Sequence, residues 1–215
     1  MIGERDDFKY QAHPWHGLDP GEDLPEKLTV YIELVPSDGI KYELDKKSGI
    51  LRVDRPQRFS SYAPAPYGMV PRTYCGEKTA SIMEQDLDDV RKIAGDKDPL
   101  DIMVLTEKII PHGEIMLTAR PVGGIALLDK GEADDKIIAV LEDDAVYGSY
   151  RDMEELPEGI LSRIEHYFLS YKAYPDSEDP VCRVLSLYDR ERAHQVIRAS
   201  REDYQKKFAD KISGI

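Results

Sequence analysis

Polarity alternates from Leu28 to Val35, with Val30, Ile32 and Leu34 on one face and Tyr31 and Glu33 on the other. A period of two predicts a half-buried strand. Two further runs, Lys41–Asp45 and Ile50–Asp54, flank Lys47-Ser48-Gly49 and read as a hairpin. More strands are predicted over 101–106, 114–122, 124–128 and 136–141. The period then changes. Ile160, Ile164, Phe168 and Tyr171 recur every three or four residues, and Pro157 suits a first turn, so this stretch predicts an amphipathic helix. A last helix is expected from Arg190 to Phe208, with Ala193, Val196, Ile197, Ser200 and Tyr204 inward. A shorter one is expected near Ser81–Ile93. Strands first and helices last predict an α+β fold: a small, closed or nearly closed antiparallel β-barrel with flanking helices, two of them near the C-terminus.

The 215 residues suit one cored domain, expected to span 1–215 with an N-terminal arm over 1–27, a polar insertion over 68–95 and a C-terminal helix within 188–215. With 41% hydrophobic and 33% charged residues, the mixture is that of a soluble globular protein. A net charge of −13 argues against general affinity for nucleic acid or anionic membranes. No apolar run approaches the ~20 residues of a membrane span. The start, Met1-Ile2-Gly3-Glu4-Arg5-Asp6-Asp7, is charged and has no apolar core, so a cytoplasmic location is expected. Cys75 and Cys182 lie far apart without metal-site spacing and read as free thiols. His13-Pro14-Trp15-His16 reads as part of a docked arm, because Pro14 disfavours a helical ligand pair.

The chemistry concentrates in Asp96-Lys97-Asp98-Pro99-Leu100-Asp101, just before the apolar run Ile102-Met103-Val104-Leu105. An extended chain would put Asp96 and Asp98 on one face, ~6.6 Å apart at the backbone, and Pro99 would let Asp101 turn back toward them. Crowded carboxylates repel unless a cation lies between them, and hard oxygens suit Mg²⁺ or Mn²⁺. A calcium loop is excluded, because Asp101 stands where such a loop needs glycine and Pro99 sits inside it. A plain solvated turn is the bland alternative. Other polar pairs sharpen the choice. Lys41 and Glu43 share a strand face, as do Asp134 and Lys136, while Arg55, Tyr67 and Tyr171-Lys172 add cations and phenols. Carboxylates for metal beside Lys, Arg and Tyr for phosphate oxygens describe one site.

In this order the segments Val30-Tyr31-Ile32-Glu33, Lys41-Tyr42-Glu43, Val53-Asp54-Arg55, Tyr67-Gly68, Asp96 to Asp101, Asp129 to Lys136 and Tyr171-Lys172 resemble the family I soluble inorganic pyrophosphatases, over roughly residues 28–175. The resemblance implies a five-stranded OB-like barrel with the site at its mouth. It implies hydrolysis of pyrophosphate to two orthophosphates with Mg²⁺, or Mn²⁺ or another divalent ion, pulling biosynthetic reactions forward. By the same resemblance Asp96, Asp101 and Asp134 are the main metal ligands, and Asp129 and Glu43 serve further ions. Asp98 holds the attacking water between metals and accepts its proton, with Glu33 nearby. Lys41, Arg55, Tyr67, Lys136, Tyr171 and Lys172 bind substrate oxygens. A homo-oligomer is implied, hexameric in compact members and dimeric in longer ones. The chain departs from the family where Ala63 replaces a tyrosine, where Lys130 follows Asp129, and in the length of 68–95.

The chemistry is reasonable without the family. Pyrophosphate and this protein are both anionic, so bridging cations are needed, and two such ions sharing a water would lower its pKa. No Ser–His or Cys–His pairing points to a covalent route. Two other classes remain open: a non-catalytic OB-like binding module, which would want a basic groove with stacking aromatics, and a metal phosphohydrolase for nucleotides or sugar phosphates.

Overall fold

The computed structural model describes residues 12–87, 89, 91–172 and 181–212. Residues 1–11 of the expected arm and the last three of the expected C-terminal segment lie outside this set. In chain order the elements are β1 (Leu28–Leu34), β2 (Ile40–Leu44), β3 (Leu51–Pro56), β4 (Tyr67–Met69), α1 (Glu77–Met83), β5 (Asp101–Leu105), β6 (Ile115–Asp129), β7 (Glu132–Ala133), β8 (Lys136–Leu141), α2 (Glu158–Ser170), β9 (Cys182–Asp189) and α3 (Arg190–Ile212).

Five strands pair around a ring in the order β1–β4–β5–β8–β6, and β6 returns to β1. The α+β expectation holds, with two refinements. β5 and β8 run parallel, Asp101 beside Lys136 through Leu105 beside Val140. An odd ring of strands cannot alternate throughout, so with the other four pairings antiparallel this one is parallel. The ring is also not a closed barrel along its length. β6 is long and irregular between Pro121 and Gly123; its first part pairs β1, and its second part runs on to pair β9. The predicted strands 114–122 and 124–128 are therefore one bent strand.

Alternation along the central strands serves two cores. Ile102 and Val104, like Ile137 and Ala139, face Val196 and Ile197 of α3 and Met83 of α1. Met103 and Leu105, like Ile138 and Val140, face Ile164 and Phe168 of α2. Strands covered on both faces read as unbroken apolar runs, as these do. Each buried aliphatic side chain is worth ~1.5–3 kcal/mol of transfer free energy.

The helices follow the predicted faces. Ala193, Val196, Ile197, Ser200 and Tyr204 are all buried. The short helix lies earlier than expected, at Glu77–Met83. Residues 68–95, read as a polar insertion, begin inside β4 and bury Met69, Val70, Cys75, Ala80 and Met83. Strand β9 was not predicted: exposed Leu187 and the inward Ser186 invert the alternation it would otherwise show.

Candidate active site

The ring brings strand starts to one end, and the acids sit there. The β5–β8 register sets Asp101 beside Lys136, and the β4–β5 register sets Met69 beside Asp101. Above them lies a cavity of about 240 Å³. Glu33 enters from β1, Lys41 and Glu43 from β2, and Tyr67 from β4. Asp96 and Asp98 line it from the loop before β5 and Asp101 from the first residue of that strand, Asp129 from the end of β6, Asp134 from just before β8 and Lys136 from its first residue. Tyr171 and Lys172 close it from the end of α2. Every residue singled out by sequence therefore lines this cavity, except Arg55.

The acidic loop is not extended, which corrects the expected geometry. Lys97 adopts a left-handed backbone, φ 68°. The Asp98 N–H donates to Asp96 Oδ1 at 2.9 Å, an Asx-type turn. The loop is stitched to its neighbours: Lys97 N–H donates to the Cys75 carbonyl at 3.0 Å, Cys75 N–H to the Asp98 carbonyl at 2.8 Å, and Asp96 N–H to the Ala133 carbonyl at 3.2 Å. A left-handed lysine costs ~1–2 kcal/mol, which these bonds offset. The two carboxylates meet the cavity through this turn, not through strand alternation.

The electrostatics are those of a crowded acid cluster with internal cations. Burial, and then repulsion from Asp134, pushes the Asp96 carboxyl up to about 9. Burial, and then the charge of Asp101, pushes Glu33 up to about 8, although its Oε1 accepts the Leu44 N–H at 2.9 Å. Lys136 is 1% exposed and pairs with both Asp101 and Asp134. Burial alone would depress its ammonium; the two carboxylates hold it well above the usual lysine range. Lys172 pairs with Asp129 at 2.5 Å. Burial keeps the Tyr67 phenol well above its ordinary value, so it remains a donor.

Arg55 stands just behind the lining. It donates to Asp54 at 2.6 Å and lies 5.7 Å from the Tyr171 ring centroid. Its buried Nη2 has no hydrogen-bond partner among the described residues. A buried guanidinium donor left open is costly unless an anion takes it.

Sequence reasoning missed several neighbours. Lys46, on the β2–β3 turn, pairs with Asp98, and Glu132 and Trp15 also line the cavity. Asp54 pairs with both Arg55 and Lys41. Lys46 follows Glu43 by three residues across a turn, so no strand alternation could have flagged it. Glu132 sits past the Lys130-Gly131 turn, where both residues have positive φ. Among the described residues, no three acidic, His or Cys side chains are gathered tightly enough to hold a metal as they stand.

The family model for inorganic pyrophosphatase matches residues 30–205. The chain belongs to the inorganic pyrophosphatase family. The inorganic pyrophosphatase of Chlamydia muridarum is 51% identical over 197 residues, covering 90% of this chain and 94% of that protein. Soluble inorganic pyrophosphatase 1 of Arabidopsis thaliana is 39% identical over 167 residues, 78% of this chain and 69% of its own. Among solved structures, the inorganic pyrophosphatase of Thermus thermophilus superposes with a TM-score of 0.74 at 27% identity, covering 91% of this chain and 99% of its own. The fold is pyrophosphatase-like, with the acidic cavity at the end of its five-strand ring.

Proposed function

We propose that this protein hydrolyses inorganic pyrophosphate to two orthophosphates by direct attack of water, and so pulls biosynthetic reactions forward. The single observation that carries the reading is the convergence of carboxylates, lysines and phenols on one cavity, with the buried Arg55 donor left open behind it. The substrate's oxygens suit Lys41, Lys136, Lys172 and Arg55, which only donate, and the neutral phenols of Tyr67 and Tyr171, which can donate.

The donor set fits divalent metal. Asp96, Asp101 and Asp134, with Glu43, Asp98 and Asp129, are hard oxygen donors. Burial, and then the charge of Asp134, raise the Asp96 carboxyl, and a bound cation would offset both. Bound by these residues, Mg²⁺, or Mn²⁺ in its place, would lower the pKa of a coordinated water and offset substrate charge. Glu132 supplies an acid near the place where Lys130 departs from the family.

In the reaction Asp98 takes the proton of the attacking water as its oxygen bonds to phosphorus. The bridging P–O bond breaks, and its electrons go to the leaving phosphate. Arg55 and the lysines neutralise the charge growing there. Glu33, at the same cavity and near Asp98 by the family resemblance, would help position Asp98. The phenols of Tyr67 and Tyr171 fix the phosphate oxygens by donation.

The reading extends to the whole chain as one domain, to the cytoplasm, and to a homo-oligomer. No helix of the described residues is long and apolar enough to cross a membrane. The deciding experiment is phosphate release from pyrophosphate and from ATP, with Mg²⁺ and then with EDTA. Rapid release from pyrophosphate alone, stopped by EDTA, is the expected result. Preference for ATP would support a nucleotide phosphohydrolase, and no release from either would support a binding module.

A further inference from the structure

The hairpin between β2 and β3 carries a lysine into the acid cluster. Its turn is stiff. Asp45 Oδ1 accepts the Ser48 N–H at 2.8 Å and the Ser48 hydroxyl at 2.7 Å. Gly49 N–H donates to the Asp45 carbonyl at 2.8 Å. Gly49 has φ +73°, and a Cβ there would lie 2.8 Å from the His13 ring. The same ring puts Nε2 3.3 Å from the Lys46 carbonyl. The arm thus presses the turn from outside, while Lys46 reaches in and pairs with Asp98. Glu43 and Asp96 also act on its ammonium.

Lys136 is the contrast. It is 2% exposed at its side chain and held on a central strand, whereas the Lys46 side chain is 47% exposed at the cavity rim. A lysine on a rim turn can swing out; one on a central strand cannot.

We propose that Lys46 is a positioning residue that acts as an internal counter-ion, holding Asp98 in the metal-free protein and competing with the divalent cation for it. This rests on the metal role given to Asp98 above. Lys136 and Lys172 neutralise Asp101, Asp134 and Asp129 in the same cavity, while Lys46 is the ammonium on Asp98, so a divalent ion that takes Asp98 must displace it. Metal uptake is therefore weaker than the acid count alone implies, and it is coupled to release of the lysine.

Direct titration of the apo protein with Mn²⁺, followed by calorimetry and by the electron-paramagnetic signal of free Mn²⁺, tests this without turnover. Lys46→Gln should bind Mn²⁺ about two- to fivefold more tightly, the range supported by a partly exposed ion pair. Lys46→Arg, which keeps the charge, should bind like wild type. The difference should shrink as salt is raised. Equal or weaker binding by Lys46→Gln, with melting behaviour unchanged, would overturn the proposal and leave the pyrophosphatase reading intact. Wild-type protein that takes up no Mn²⁺ would overturn both.

Discussion

At the scale of single residues, chemistry here depends on which groups are forced close and which are left open. Asp98 is the clearest case. Its backbone carbonyl accepts the Cys75 N–H and its own N–H meets Asp96, and both bonds survive replacement of the carboxylate. Asp98→Asn should therefore keep the fold and lose the proton acceptor. A fall in turnover of ~10²–10⁴, typical of a lost general base, is expected with an unchanged melting curve. Near-normal activity would sink the role. The tyrosines make a second case. Tyr67 is buried on β4 at the cavity, while Tyr62 is 49% exposed in the preceding loop. Tyr67→Phe should cost ~1.5–3 kcal/mol of transition-state stabilisation, one hydrogen bond to a charged oxygen. Tyr62→Phe should change little, since Ala63 beside it is buried in the α2 core and no phenol reaches the site from there. Steady-state kinetics of both variants decide between this register and one shifted by a residue.

At the scale of elements, short pieces are held by partners rather than by their own propensity. Helix α1 has seven residues and no side-chain N-cap of its own. An isolated helix of that length is unstable in water. Asp203 of α3 serves it instead. Its carboxylate accepts the Gly76 N–H at 3.1 Å, the Lys78 N–H at 3.2 Å, and both the Thr79 N–H and hydroxyl, at 2.9 and 3.0 Å. Asp203→Ala would strand several donors, so a loss of about 2–3 kcal/mol in urea unfolding is expected. The same segment runs on to Cys75, whose backbone braces the acidic loop, so metal affinity should weaken with stability. A variant that unfolds like wild type would mean that α1 is held by its apolar face alone.

At the scale of the whole molecule, charge dominates. The chain carries −13, and much of the buried part converges on one cavity. Filling that cavity with divalent ions relieves repulsion in the folded state only. Mg²⁺ and Ca²⁺ should each stabilise the fold by mass action, by ~2.7 kcal/mol at a hundredfold excess over Kd, and so raise the melting temperature, and EDTA should reverse it. Turnover should separate the two. Ca²⁺ is larger, with looser geometry and weaker polarisation of water, so it should stabilise without supporting appreciable hydrolysis. Strong Ca²⁺-driven phosphate release would refute the tight metal geometry.

Where pattern and packing agree, the sequence alone sufficed. Period-two runs predicted β1, β2 and β3, unbroken apolar runs predicted β5 and β8, and the 3.6-residue period predicted α2 and α3, because the pattern records whether one face or both meet a core. Residue type and spacing singled out Asp96, Asp98, Asp101, Asp134, Glu43, Arg55, the lysines and the phenols, while Glu33 and Asp129 entered only through the family resemblance. What the chain could not show locally was decided by tertiary contacts. Ring order set the parallel β5–β8 pair and the open path of β6, because pairing between distant strands leaves no local period. The left-handed Lys97 turned Asp96 and Asp98 by a route that alternation does not describe. Lys46 reached Asp98 across a turn, and Arg55 was left behind the lining with one open donor. These depend on which segments meet in space, and side-chain charges act at distances that sequence separation does not measure.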